Sequence, residues 1–152
     1  MKKTDRKRRK ITKTGEFGSI YTKFENKPKN AIKHLKKKKT GECVKALYRE
    51  DIGYVDIVWG ENNSETNSGY GLKHIIEKHG KEIKYIGFEV EEFIPMAFKM
   101  GGVKKAKESY KILIENDLYR IVLLTEWKGR KKTLLLTAFD LTPKQLKRKP
   151  KT

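Results

Sequence analysis

The chain has 152 residues and a formal net charge of +18, from 37 Lys and Arg against 19 Asp and Glu. With 36% hydrophobic and 37% charged residues, it has apolar material for one domain of modest core, concentrated from about Ala46 to Leu141, and the charge predicts a polyanionic partner, nucleic acid or an anionic surface. The single cysteine, Cys43, excludes an internal disulfide and a cysteine-based zinc cluster; no run of 18 apolar residues offers a membrane span.

Residues 1–13 hold eight Lys and Arg and nothing to bury. They read as a disordered basic arm, and no apolar segment follows that would make it a secretory signal. Residues 14–29 contain Gly15, Gly18 and Pro28 and show no clear period, so arm and linker together are expected over 1–29. A domain over 30–147 and a basic tail over 148–152 complete the organisation. Asn30 is expected to cap a short helix over Ala31, Ile32 and Leu35, ending in Lys36 to Lys39. His34 in that helix reads as a surface residue.

From Glu42 the period changes to two. Val44, Ala46 and Tyr48 alternate with their neighbours, and Tyr54 to Trp59 is rich in β-branched and aromatic residues. The two runs predict a hairpin turning near Asp51 to Gly53. The segment Gly60 to Gly69 reads as a polar loop of the kind that borders sites.

A helix follows, opening after Gly69 and closed by Gly80. Leu72, Ile75, Ile76 and His79 fall at i, i+3, i+4 and i+7 and form its apolar stripe, while His74 and Lys78 lie on another face. By periodicity His79 reads as a core or edge histidine, and His74 is the better functional candidate because packing gives no reason for it. Glu82 to Phe88 predicts a short strand or turn. Glu89 to Met100 predicts a helix with Val90, Phe93, Ile94 and Ala97 inward, kinked at Pro95 and ended by Gly101. Three strands then form a meander: Tyr110 to Ile114, Tyr119 to Trp127 and Lys132 to Phe139, with turns at Asn116–Asp117 and Lys128 to Arg130. Thr142 is expected to cap a final short helix. The fold class is therefore α+β: an antiparallel sheet made of an N-terminal hairpin and a C-terminal three-stranded meander, with helices on one face and the other free for a ligand.

No metal-binding pattern is convincing. His74 and His79 are five residues apart, not the four that aims two imidazoles at one ion from a regular helix. Metal-free RNA cleavage suits the inventory better. The ribose 2′-OH must lose a proton, the 5′-oxygen must gain one, and the phosphorane between them carries extra negative charge. A helix histidine, Arg120 at the start of the central meander strand and the Thr137 hydroxyl on the neighbouring strand are the candidates. Each also has an ordinary reading, Arg120 as a solvated strand-end charge and Thr137 as a β-branched strand residue.

Asp51 to Gly60 (DIGYVDIVWG), Gly69 to His79 (GYGLKHIIEKH), Arg120 to Trp127 (RIVLLTEW) and Leu134 to Phe139 (LLLTAF) resemble the phage barnase/EndoU/colicin E5–D/RelE-like (BECR-fold) nucleases, over about Ala31 to Leu146. The resemblance implies a helix-plus-antiparallel-sheet endoribonuclease that needs no metal or cofactor and leaves a 2′,3′-cyclic phosphate. It implies a toxin module carried by a larger phage or secreted protein; tRNA or another structured RNA, in the cytoplasm of a host or target cell, is the expected substrate. It implies His74, His79, Arg120 and Thr137 as catalytic residues. Lys73, Lys78, Arg130, Lys131 and Lys132 are the expected phosphate contacts, and an acidic immunity or antitoxin protein is the expected partner. The alternative is a non-catalytic basic RNA- or DNA-binding protein of phage or mobile-element origin; a purely structural phage protein fits the charge less well.

Overall fold

Apolar residues are concentrated in the longer strands and recur with helical spacing over three helices, and most of those buried form one large core. The computed structural model describes residues 13–66 and 68–141. The chain runs β1 (Lys13–Gly15), β2 (Gly18–Tyr21), α1 (Pro28–Lys38), β3 (Glu42–Arg49), β4 (Gly53–Val58), β5 (Glu61–Asn63), β6 (Ser68–Tyr70), α2 (Gly71–Tyr85), α3 (Val90–Met100), β7 (Gly102–Lys105), β8 (Lys111–Glu115), β9 (Tyr119–Trp127) and β10 (Arg130–Asp140). Most of the basic arm, the expected Thr142 cap and the basic tail lie outside the described residues.

The α+β class holds, but the sheet is larger than a hairpin and a meander. Eight strands form one sheet in the order β1-β2-β3-β4-β10-β9-β8-β7. Most pairs are antiparallel. Two are parallel: β2 with β3, and β4 with β10, where Leu134 lies opposite Asp56. The β4–β10 seam joins the expected hairpin to the expected meander. Such a pairing links segments far apart in sequence, so no local period announces it.

Three strands of the large sheet replace expected irregular segments. β1 and β2 occupy part of the 14–29 stretch, and β7 follows α3 directly. All three are short and none is fully buried, and β1 and β7 are the sheet edges. They carry charge or glycine where an interior strand would carry Val or Ile.

The helices start and stop for local reasons. Pro28, not Asn30, opens α1, where its missing N–H costs nothing, and Lys39 closes it in the left-handed conformation at φ 58°. Ala31, Ile32 and Leu35 are buried as expected. α2 does not end at Gly80; it runs to Tyr85, because Ile83 continues the stripe of Leu72 and Ile75 into the core. α3 opens with a capping box between Glu89 and Glu92 and buries Val90, Phe93, Ile94, Ala97 and Phe98. His34 is not a simple surface residue. It sits between the Tyr21 and Phe24 rings, at 4.3 and 4.9 Å, with its Nε2 buried and unpartnered.

The large core packs these helical residues on Cys43, Leu47, Val55, Ile57, Ile121, Leu123, Leu135 and Ala138. Successive strand residues point to opposite faces. Val58, Leu124 and Leu134 accordingly form a second, smaller cluster, covered by Phe17, Tyr70, Trp127 and Leu136. The far face of the sheet, expected to be free, is therefore partly roofed by aromatic side chains. Among the described residues no helix is long and apolar enough to cross a membrane.

Candidate active site

The segment read as a polar loop is a small hairpin. β5 and β6 pair with each other in a separate two-stranded sheet, with Asn62 opposite Gly69. The hairpin leads straight into α2, whose first residue, Gly71, has φ 82°. An added Cβ there would stand 2.9 Å from the Val58 and Trp59 carbonyl oxygens, so glycine is required where the chain turns into the helix.

This hairpin decides the environment of His74. The residue does stand off the Leu72–Ile75 stripe, as the period predicts, yet it is 7% exposed. Its Nδ1 lies 2.9 Å from the Asn62 Oδ1. Burial, then the neighbouring His79 and Lys78, hold the His74 pKa below the ordinary 6.5. A lowered pKa favours the neutral imidazole, the form that can accept a proton.

His79 lies one and a half turns further along α2. Its ring centroid is 5.8 Å from that of His74, with the planes near perpendicular. Its Nδ1 is 3.3 Å from the Glu82 Oε1, and its ring stacks on Phe139 of β10 at 5.0 Å. Phe139 stands opposite Arg120 of β9, whose guanidinium carbon is 5.8 Å from the same ring. α2 packs against β10, so one contact series runs from His74 through His79 and Phe139 to Arg120.

Arg120 is already engaged. Its Nε is 2.5 Å from Glu115 Oε1, and Glu115 also accepts from Lys104 at 3.2 Å. Burial alone would raise the Glu115 pKa; the two cations overcome this and hold it below the usual carboxylate range. Thr137 is opposite Val122, and its Oγ1 is buried with no hydrogen-bond partner. Arg120, Val122, Thr137 and Phe139 alternate with Ile121, Ala138 and Leu123 of the large core, so they share the other face.

The expected phosphate contacts divide. Lys73 lines three surface depressions, the largest about 760 Å³ and bordered by Glu61, Asn62, Ser68 and Tyr70. Lys78 is exposed on α2. Arg130, Lys131 and Lys132 lie eight residues or so along β10 from Phe139, about 25 Å at ~3.3 Å per residue. One scissile phosphate cannot reach both ends. Lys132 in addition donates to Glu42 and Asp56, each at 2.7 Å, and Arg130 pairs with Glu16 at 2.5 Å. Burial would lower the Lys132 pKa, but these two hydrogen bonds raise it. Lys132 is thus a structural cation rather than an available phosphate ligand.

Asn62, Glu77, Glu82 and Phe139 were not anticipated as part of this constellation. Asn62 and Gly69 meet His74 only through the hairpin register, and Phe139 stood in the LLLTAF run of the resemblance without any sign that it would stack on His79. Among the described residues no group of three or more His, Cys, Asp or Glu side chains gathers as a metal site would require.

Comparison with known families gives one match. The family model described as phage-Barnase-EndoU-ColicinE5/D-RelE like nuclease 1 matches residues 46–145. No curated protein and no solved structure matches the chain. The match covers well over half of the sequence, including β4, α2, β9 and β10, and the chain belongs to this nuclease family.

Proposed function

Taking membership in this nuclease family as the premise, we propose that the chain is a metal-independent endoribonuclease that cleaves by transesterification and leaves a 2′,3′-cyclic phosphate. The observation that carries this reading is the pair of imidazoles 5.8 Å apart, one held neutral and the other beside a carboxylate. A base and an acid must each come within hydrogen-bond reach, about 3 Å, of the oxygen they serve. Two such reaches span one phosphodiester.

His74 takes the proton from the ribose 2′-OH. The 2′-oxygen attacks phosphorus, and the P–O5′ bond breaks as the leaving 5′-oxygen takes a proton from His79. Glu82, 3.3 Å from His79 Nδ1, orients this ring so that its other nitrogen serves the leaving oxygen. Arg120 and the unpartnered Thr137 hydroxyl act on the negative charge that builds on the phosphorane oxygens. Lys73 and Lys78 hold neighbouring phosphates near the reaction, and Arg130 and Lys131 hold the strand at the far end of β10. The substrate we favour is tRNA or another structured RNA, the setting is the cytoplasm of a host or target cell, and the biological role is that of a toxin. A net charge of +18 suits an acidic immunity or antitoxin protein as inhibitor.

The test is incubation of total RNA with the full chain in excess EDTA, followed by end analysis. Cleavage with 2′,3′-cyclic phosphate and 5′-hydroxyl ends is expected. Ends bearing 5′-phosphate, or cleavage only with added divalent metal, overturn the mechanism. Salt-sensitive binding without any cleavage favours a non-catalytic RNA- or DNA-binding protein.

A further inference from the structure

Asn62 has two polar atoms with two different partners. Its Nδ2 donates to Glu77 Oε1 at 3.1 Å, and its Oδ1 faces His74 Nδ1 at 2.9 Å. A carboxylate accepts hydrogen bonds and does not donate them. Turning the amide over would set Oδ1 against the Glu77 carboxylate, acceptor against acceptor. Glu77 therefore fixes which way Asn62 points. With Oδ1 toward the imidazole, the neutral ring must carry its proton on Nδ1, and the lone pair is left on Nε2.

We propose that the β5–β6 hairpin is an orienting device, in which Glu77 and Asn62 act as positioning residues that hold His74 in the Nδ1–H tautomer and present Nε2 as the proton acceptor. The arrangement has the logic of a carboxylate-oriented catalytic histidine, with an amide inserted between carboxylate and ring. Gly69 is part of it. An added Cβ at Gly69 would stand 2.7 Å from His74 Nδ1 and 2.9 Å from Asn62 Oδ1, closer than non-bonded carbon tolerates. Glycine at this position, across the hairpin from Asn62, lets the ring and the amide meet. The catalytic meaning of the tautomer rests on the proposed nuclease reading; the tautomer itself does not.

The two are separated by one experiment with two readouts. Long-range ¹⁵N–¹H NMR of the full chain with ¹⁵N-labelled histidine reports which ring nitrogen carries the proton, whatever the protein does to RNA. In the wild type His74 is expected as Nδ1–H. Asn62→Ala shifts it toward Nε2–H, the form that free neutral imidazole side chains favour. The double variant Asn62→Asp/Glu77→Gln, in which the amide introduced on α2 donates to the carboxylate introduced on β5, keeps an acceptor at the ring and the Nδ1–H form. Glu77→Ala, on the exposed face of α2, gives a mixture. In cleavage, Asn62→Ala lowers kcat by about tenfold or more with little change in KM, and Asn62→Asp/Glu77→Gln restores part of it. A wild-type His74 found as Nε2–H, or an unchanged tautomer in Asn62→Ala, overturns the proposal even if RNA is cleaved. The expected tautomers in a chain that cuts no RNA leave the positioning intact and remove the nuclease mechanism instead.

Discussion

The His79 ring lies on the Phe139 ring, 5.0 Å between centroids and 28° between planes. This contact ties α2 to the last strand of the sheet at the point where the second imidazole is needed. Phe139→Ala is expected to destabilise the fold by about 3 kcal/mol through lost packing. Phe139→Leu keeps most of the volume but not the flat surface, so it is expected to fold and to lose about tenfold in kcat as His79 gains freedom. Denaturant titration and steady-state cleavage check the pair. A well-folded Phe139→Leu protein with unchanged kcat means that the stack does not position His79.

Lys132 bridges Glu42 of β3 and Asp56 of β4 from its place on β10. The Glu42 side chain is 5% exposed and that of Lys132 20%. Lys132→Met leaves two carboxylates beside the parallel seam without their cation, which is expected to cost about 3 kcal/mol. Cleavage per folded molecule should not change, because Lys132 is about 20 Å along the strand from Phe139. Urea unfolding together with activity on the folded fraction separates this structural role from a phosphate-binding one, which would instead raise KM at full stability.

Two histidines bear on the pH dependence of folding. His74 is buried beside His79 and Lys78, with Asn62 facing it. His34 is held down by burial and by Lys23, Lys38 and Lys37. Both have folded pKa values below the ordinary 6.5. Below that pH the unfolded chain takes up protons that the folded chain refuses, so stability is complete above 6.5 and is lost as pH falls toward the folded values. Glu16, lowered to about 2 from 4.5 by its hydrogen bonds to Lys128 and Trp127, adds a loss of the same sign at lower pH. Unfolding free energy measured from about pH 7.5 to 5 should decline, and His34→Gln should flatten the decline. A level profile contradicts the assignment.

Period and composition made much of this fold legible, and tertiary register hid the rest. The β3–β4 hairpin, the meander turns and the inward faces of α1 and α3 follow from apolar spacing, and those residues are buried. His74 shows the limit. The helical period correctly set it off the stripe of Leu72 and Ile75, but a period describes one element, and what covers His74 is Asn62 and Gly69 from a hairpin whose polar sequence resembles a loop. Gly80 misled for a different reason: glycine often ends helices, but the burial of Ile83 outweighs a cost of about 1 kcal/mol within one. Lys131 and Lys132 are adjacent in sequence and alike in type. Only the pairing of β10 with β4 shows that one is exposed and the other clamped between carboxylates.

The distribution of cations also separates by salt. With the His74→Ala protein, which should bind without cutting, Lys73→Gln and Lys78→Gln are each expected to weaken RNA binding and to reduce the salt slope by roughly one. Fluorescence anisotropy across salt concentrations checks this. An unchanged slope in both removes them from the RNA path.

The most direct measurement is cleavage of RNA in EDTA by wild type, His74→Ala and His79→Ala, each shown to be folded. Wild type should cut, and each substitution should lower kcat by about 10² to 10⁴, the usual range for loss of a general base or acid. Full activity in both variants would contradict the central claim that these two imidazoles do the proton transfers.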